Sequence, residues 1–357
     1  MKHASEANDV GDLMSQCERN DEGERHPSLW FEDGNIIVSA KSAETQKLML
    51  FRVHKSVLSR QSSVFAGLFS LPDTPENYGG PEDLSEIPTV FLADDAEGIA
   101  DLFNILYGPQ GFNLFTRKRN PDFPLQGMKL LKIADKYELD AIKNAIVSRM
   151  STDWPKSLEE WDTIDANGAL FEGNFIRRSD WPEELIPEPI SAAILAKEGK
   201  ITDIMAATFY DVYRSYRFIN WDNPGPTGVD TSYSHKGARW ALATPEHLRK
   251  LLLIQEIIDR TLAQNSPFVF LQGAVGEGIE GCQTAHICQP LVAKKAFEVV
   301  GDIWDSRDPL ALLRQFIDWS NGSILCPFCK AEILDQASVT RTEIWEKVRR
   351  VAESDHL

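Results

Sequence analysis

Between residues 34 and 69 the apolar pattern changes period, and no other feature of the chain constrains the fold as much. Residues 35–40 (NIIVSA) form a short apolar run, residues 41–46 are polar, and residues 48–53 (LMLFRV) return to an apolar run. Two strand-length runs around a polar turn predict a β-hairpin with one buried face. From His54 onward, Val57, Leu58, Val64, Phe65 and Leu68 recur at helical spacing, with a polar break over residues 59–63. Gly67 falls in the second helical stretch, where a close approach of neighbouring atoms would call for it. A hairpin running into two short helices makes the first half α+β.

Thr89, Val90, Phe91 and Leu92 give a further strand, and Asp94 or Asp95 then caps a helix over residues 96–107 that stops at Gly108-Pro109. Residues 127–150 read as one amphipathic stretch, with Met128, Leu131, Ala134, Leu139, Ile142, Ile146 and Met150 facing the core. The stretches 72–88, with four prolines, and 110–124 are long for connections and read as loops. Residues 1–28, rich in Glu, Asp, Ser and Asn, read as a disordered tail, with order expected from Leu29-Trp30-Phe31.

Residues 151–189 hold three Trp and four Pro with little periodicity, and read as a linker with local structure. Beyond it, helical patterns cover 190–196, 201–216, 245–263, 290–304, 309–319 and 343–353. A turn-rich segment spans 220–237 and a short strand is predicted at 268–271, so residues 190–357 are expected to form an α-rich domain. Two domains also suit 357 residues with 43% hydrophobic side chains, at roughly 100–200 residues per domain.

A formal net charge of −17 argues against nucleic acid and anionic membrane surfaces as partners, because phosphate binding needs clustered Lys and Arg. The basic set Arg117-Lys118-Arg119 is short and reads as a solvated loop. No stretch reaches the ~18 apolar residues a membrane span needs. Residues 1–27 have no apolar core of the signal-peptide kind, so a cytoplasmic or nuclear location is expected. Five cysteines in this length do not make a disulfide scaffold and fit a reducing compartment. Without a secretion signal, the glycosylation pattern Asn321-Gly322-Ser323 reads as fortuitous.

Four of the five cysteines fall late: Cys282, Cys288, Cys326 and Cys329. The second pair is C-P-F-C, a spacing that lets two thiolates of one turn take two corners of a zinc tetrahedron. The first pair is wider, with His286 between as an alternative ligand to Cys288. A structural zinc closed by this set would pin the C-terminal helices together. Buried free thiols, a redox pair at Cys326 and Cys329, and a disulfide are the other readings. Cys17 lies in the tail.

No established catalytic pattern stands up. Residues 276–281 spell G-x-G-x-x-G, but Glu277 and Glu280 would repel a pyrophosphate and no βαβ unit surrounds them. No Walker A, G-x-S-x-G or H-E-x-x-H occurs. The carboxylates show no pairing in an apolar setting of the kind general acid–base work uses. Nor does His54 have a nucleophile and an orienting acid beside it in the sequence. Its imidazole is expected to bond backbone at the strand-to-helix corner. Phe65 and Phe69 read as core residues, Asp135 and Lys136 as solvent-facing.

Residues 51–69 (FRVHKSVLSRQSSVFAGLF) resemble the signature of BTB/POZ domains, in which a strand delivers F-x-x-H-(K/R) and a helical hairpin carries V-L, S-x-x-F and a terminal L-F. Residues 34–38 resemble that family's first strand. Residues 89–92 and 102–108 (LFNILYG) resemble its third strand and the helix ending in Y-(T/G)-G. Residues 130–139 (LLKIADKYEL) resemble its L-L-x-x-A-D-K-Y-x-(L/M) helix. Asn35 stands where many animal members have an Asp that helps form a charged pocket at the dimer interface, while Lys55 keeps the basic position. The long loops and cysteine-bearing helical half are similar to the large BTB group of mushroom-forming fungi.

The resemblance implies a BTB/POZ fold over residues 29–150 and a protein-interaction module rather than an enzyme. Such a module acts as scaffold or adaptor, with self-association or a cullin-type ubiquitin ligase scaffold as partner. The surface implied for a cullin includes the helix at 96–107 and the end of the hairpin at Phe65 and Phe69. Two other readings stay open: a metal-dependent enzyme with its site in the C-terminal domain, and a transcription co-regulator without direct DNA contact.

Overall fold

A computed structural model describes residues 23–71, 87–108, 114–168, 186–222, 237–265 and 281–354. They fall into two compact units, Met1–Arg117 with Lys129–Ile146 and Lys118–Met128 with Val147–Leu357. The architecture is α+β, a small mixed sheet followed by a helical region. The expected tail at 1–28 and strand at 268–271 lie wholly or largely outside the described residues. What is described shortens the tail, since the first strand, β1, spans Glu24–Trp30.

In the first unit β1, β2 (Ile36–Lys41), β3 (Leu48–Val53) and β4 (Thr89–Asp95) form a four-stranded sheet in the order β1-β3-β2-β4. The predicted hairpin is β2 and β3, paired antiparallel from Ile36 opposite Val53 to Lys41 opposite Leu48. β4 joins β2 in parallel and β1 joins β3 in parallel. Ile36, Ile37, Val38, Ser39 and Ala40 are all buried, so β2 is covered on both faces rather than one. Leu50 and Ile37 pack with Trp30, Leu48 and Ile87, while Phe51 meets Phe103 edge-on with ring centroids 5.5 Å apart.

Three helices follow the hairpin and the last strand. They are α1 (Lys55–Gln61), α2 (Ser63–Phe69) and α3 (Ala96–Tyr107). The polar break between α1 and α2 is a helix cap: the Ser62 hydroxyl accepts from Phe65 N–H at 3.0 Å and donates to the Tyr137 carbonyl at 2.5 Å. Asp95, one of the two predicted caps, accepts from Gly98 N–H at the start of α3 and from Ala43 N–H in the hairpin turn at 2.8 Å. Gly67 is not a close-packing residue, because a Cβ there would meet nothing within 4 Å. Gly98 in α3 is tighter, since a Cβ there would lie 2.5 Å from Ile133.

The single stretch expected over 127–150 is two helices, α4 (Phe123–Lys136) and α5 (Asp140–Asp153). The break is a helix stop that the sequence disguises, because its left-handed residue is Glu138 (φ 50°) rather than glycine. Leu139 N–H closes it on the Ala134 carbonyl at 2.8 Å. α4 also starts earlier than predicted, with Phe123 fully buried.

In the second unit the helices are α6 (Leu158–Gly168), α7 (Pro189–Glu198), α8 (Met205–Arg214), α9 (Pro245–Asn265), α10 (Ala285–Ser306), α11 (Pro309–Gly322) and α12 (Pro327–Glu353). Met205 through Val212 are buried without interruption, because α8 packs against α7, α9 and α12. Within the segment expected to link the domains, residues 151–189, local structure is present where it is described. Trp154 and Trp161 are core residues, and Trp161 lies edge-on to Tyr210 at 5.1 Å. The later part of the loop expected at 110–124 is anchored as well. Arg119 N–H donates to Asp153 at 2.9 Å, and Asp122 pairs with Arg239. Among the described residues no helix is long and apolar enough to cross a membrane.

Candidate metal centre

α11 ends at Gly322, and the chain turns through buried Leu325 into Cys326, the N-cap of the 27-residue helix α12. Pro327 occupies the first helical position, where its fixed φ favours the start and its missing N–H costs nothing. The C-P-F-C motif is therefore a helix N-terminus, and α12 begins well before the expected 343–353. Cys329 lies in its first turn. Cys282 sits just before α10, and Cys288 in the first turn of α10, where its N–H donates to the Thr284 carbonyl at 2.9 Å.

These elements bring Cys282, Cys288, Cys326 and Cys329 together, with all four sulfurs within 4.8 Å of one another. None is in a disulfide. The Cys282 and Cys326 sulfurs are 3.7 Å apart. A zinc tetrahedron with ~2.3 Å metal–sulfur bonds has edges of about 3.8 Å, so this separation suits two thiolates sharing one ion. The cluster could hold a metal.

The surroundings act differently on the four sulfurs. Cys326 N–H donates to the Cys288 sulfur at 3.3 Å, and the Thr284 hydroxyl meets the same sulfur at 3.2 Å. The backbone N–H of Cys329, with that of Gln283, holds the Cys326 thiol down to about 6. The N-terminal dipole of a long helix acts in the same direction. Burial pushes Cys282 and Cys329 up instead. A bound cation would offset that cost, since a coordinating thiol is deprotonated outright.

His286 is not part of the cluster. It is exposed and two residues from Cys288 in the same helix, so the two side chains face different ways. The sequence reading missed Thr284 and the backbone donors around the sulfurs. A Cys directly before Pro, opening a helical pattern, was the signal that could have found the helix N-terminus.

In the second unit several carboxylates pair with arginines. Arg214 of α8 donates to Asp165 at 2.7 Å, Asp211 at 2.8 Å and Asp308 at 2.9 Å, and lies 4.5 Å over the Trp161 ring. Arg314 reaches Asp165 at 3.0 Å, and Arg341 pairs with Asp162 while donating to the Leu310 carbonyl. This cluster ties α6, α8, α11 and α12. Glu188, fully buried, caps α7 and accepts from Arg239 N–H at 2.9 Å.

In the first unit, the corner at His54 differs from expectation. The imidazole meets the Asp33 carboxylate at 3.2 Å and the Tyr107 hydroxyl at 3.3 Å rather than backbone, while the backbone N–H of His54 donates to Tyr107 Oη at 2.7 Å. Asn35 Oδ1 accepts from Lys55 N–H at 2.8 Å at the start of α1. Phe65 is fully buried, stacked 4.5 Å from Tyr137, and Phe69 is half-buried. Asp135 is exposed, and Lys136 pairs with Asp94 at 2.7 Å. Most of the G-x-G-x-x-G segment lies outside the described residues, and its last glycine, Gly281 (φ 87°), lies against Phe328.

No family model matches this chain, and no curated protein matches it.

Proposed function

We propose that this chain is a protein-interaction scaffold. Its first unit serves as a BTB/POZ-like binding module, and its helical unit is locked by a structural zinc on Cys282, Cys288, Cys326 and Cys329. The observation that carries the reading is the convergence of four sulfurs within 4.8 Å. A structural zinc takes four protein ligands, whereas a catalytic zinc keeps three and an open position. Soft thiolates also select zinc over calcium or magnesium, which take oxygen ligands.

The first unit supports the binding role through its chemistry. His54 bonds both Asp33 and Tyr107, and Phe31 stacks on Tyr107 at 4.8 Å, so the polar groups of this corner serve its geometry. Exposed side chains on α1 and α2, among them Arg60, Gln61 and Val64, would meet the partner. A cullin-type ligase scaffold is one version of that partner, and a second copy of the chain is another.

Metal analysis of purified protein tests the reading. Stoichiometric zinc that survives gel filtration and is lost, together with helicity, on Cys326→Ser/Cys329→Ser supports it. Metal-free native protein with full helicity removes it. Failure of a cullin to co-purify with the chain would remove the adaptor version alone.

A further inference from the structure

The four thiols differ in access. Cys288 and Cys329 are fully buried and Cys326 is 8% exposed, whereas Cys282 is half-buried ahead of α10. Oxidation selects thiolates that an oxidant can reach, and metal binding keeps sulfurs in the thiolate form. The Cys326 sulfur, 3.7 Å from that of Cys282, is close enough to trap an oxidised neighbour after a modest side-chain rotation toward the ~2.05 Å of a disulfide.

We infer that Cys282 is an oxidation site of the metal centre, and that a peroxide converts Cys282 and Cys326 to a disulfide with release of the metal. This rests on the structural-zinc reading. In the first step the Cys282 thiolate attacks one peroxide oxygen. The O–O bond breaks, the leaving hydroxide takes a proton as water, and Cys282 becomes a sulfenic acid. The Cys326 thiolate then attacks that sulfur. The S–S bond forms, the S–O bond breaks, and a second hydroxide leaves as water with another proton. Two electrons pass from the two sulfurs to the peroxide oxygens. With Cys282 and Cys326 joined, only Cys288 and Cys329 would remain to hold a zinc, which would leave unchanged in charge, while the new bond would still tie the start of α10 to the start of α12.

The test treats the zinc-loaded full chain with hydrogen peroxide. Released zinc is read with a chromophoric chelator, and the cross-link is mapped by mass spectrometry without reduction. The expected result is stoichiometric zinc release with a Cys282–Cys326 cross-link, both reversed by a thiol reductant and added zinc. Cys282→His, which keeps a ligand but removes the oxidisable sulfur, should retain its zinc under the same dose. Zinc retained by the native chain, release with a Cys326–Cys329 cross-link, or release from Cys282→His at the native rate would each overturn the assignment. If Cys282→His binds no zinc, the cross-link in the native chain decides. A native chain without zinc before any peroxide takes down the structural-zinc reading itself, and this inference with it.

Discussion

The two units satisfy their polar groups in different ways. In the first, side chains close helix starts locally: Ser62 caps α2 and Asp95 caps α3, each through an N–H three residues on. Its core is a doubly covered strand and a cluster of phenylalanines. In the second, charged groups and thiols distant in sequence do the joining. Arg341 meets Asp162 across 179 positions, and Cys282 meets Cys326 across 44. Neighbouring caps leave motifs that can be read in order along a chain. Long-range pairs leave only residue types, whose partners emerge once the helices are placed.

The contrast can be broken first by cavity. Phe103→Ala removes the partner of Phe51 from a packed core and should cost about 3–5 kcal/mol. Chemical denaturation should show the loss in the first unit with zinc content unchanged. Arg214→Met acts on the second unit. It takes from Asp165, Asp211 and Asp308 the guanidinium they share, and breaking a buried ion pair from one side costs about 3–5 kcal/mol. Because Arg214 is 19% exposed, the lower end of that range is expected.

Smaller effects sharpen the same comparison. Ser62→Ala deletes a cap that also donates to the Tyr137 carbonyl, so about 1–2 kcal/mol should be lost in the first unit. Lys197→Ala removes the exposed pair with Glu246 in the second unit and should cost at most about 1 kcal/mol. The hydrogen bond from Lys197 holds the Glu246 carboxyl below its ordinary value. A depressed folded-state pKa stabilises above the unfolded value and is lost as pH falls through the folded one. The native and Lys197→Ala unfolding midpoints should therefore differ near neutrality and converge in acid.

How much the sequence disclosed follows the same division. The hairpin, the strand at 89–92 and the helix at 96–107 were legible because period and caps lie within a few residues of each other. The split between α4 and α5 was hidden, because Glu138 occupies a left-handed stop where glycine is the usual mark. The four sulfurs of the candidate metal site were legible as four late cysteines, whereas the place of His286 on another face of α10 emerged only with the helix. Trp161 and the arginine–aspartate cluster looked like linker composition, since nothing local reveals that Tyr210, Trp345 and Arg214 pack around that tryptophan. Asp162 and Asp165, one helical turn apart beside a tryptophan, were the available signal.

The central claim is that the four sulfurs close around one ion and leave no open position. X-ray absorption at the zinc edge of the purified, reduced chain tests it most directly. The account predicts a shell of four sulfurs at about 2.3 Å. Three sulfurs with an oxygen or nitrogen neighbour would contradict it and turn attention to a reactive metal.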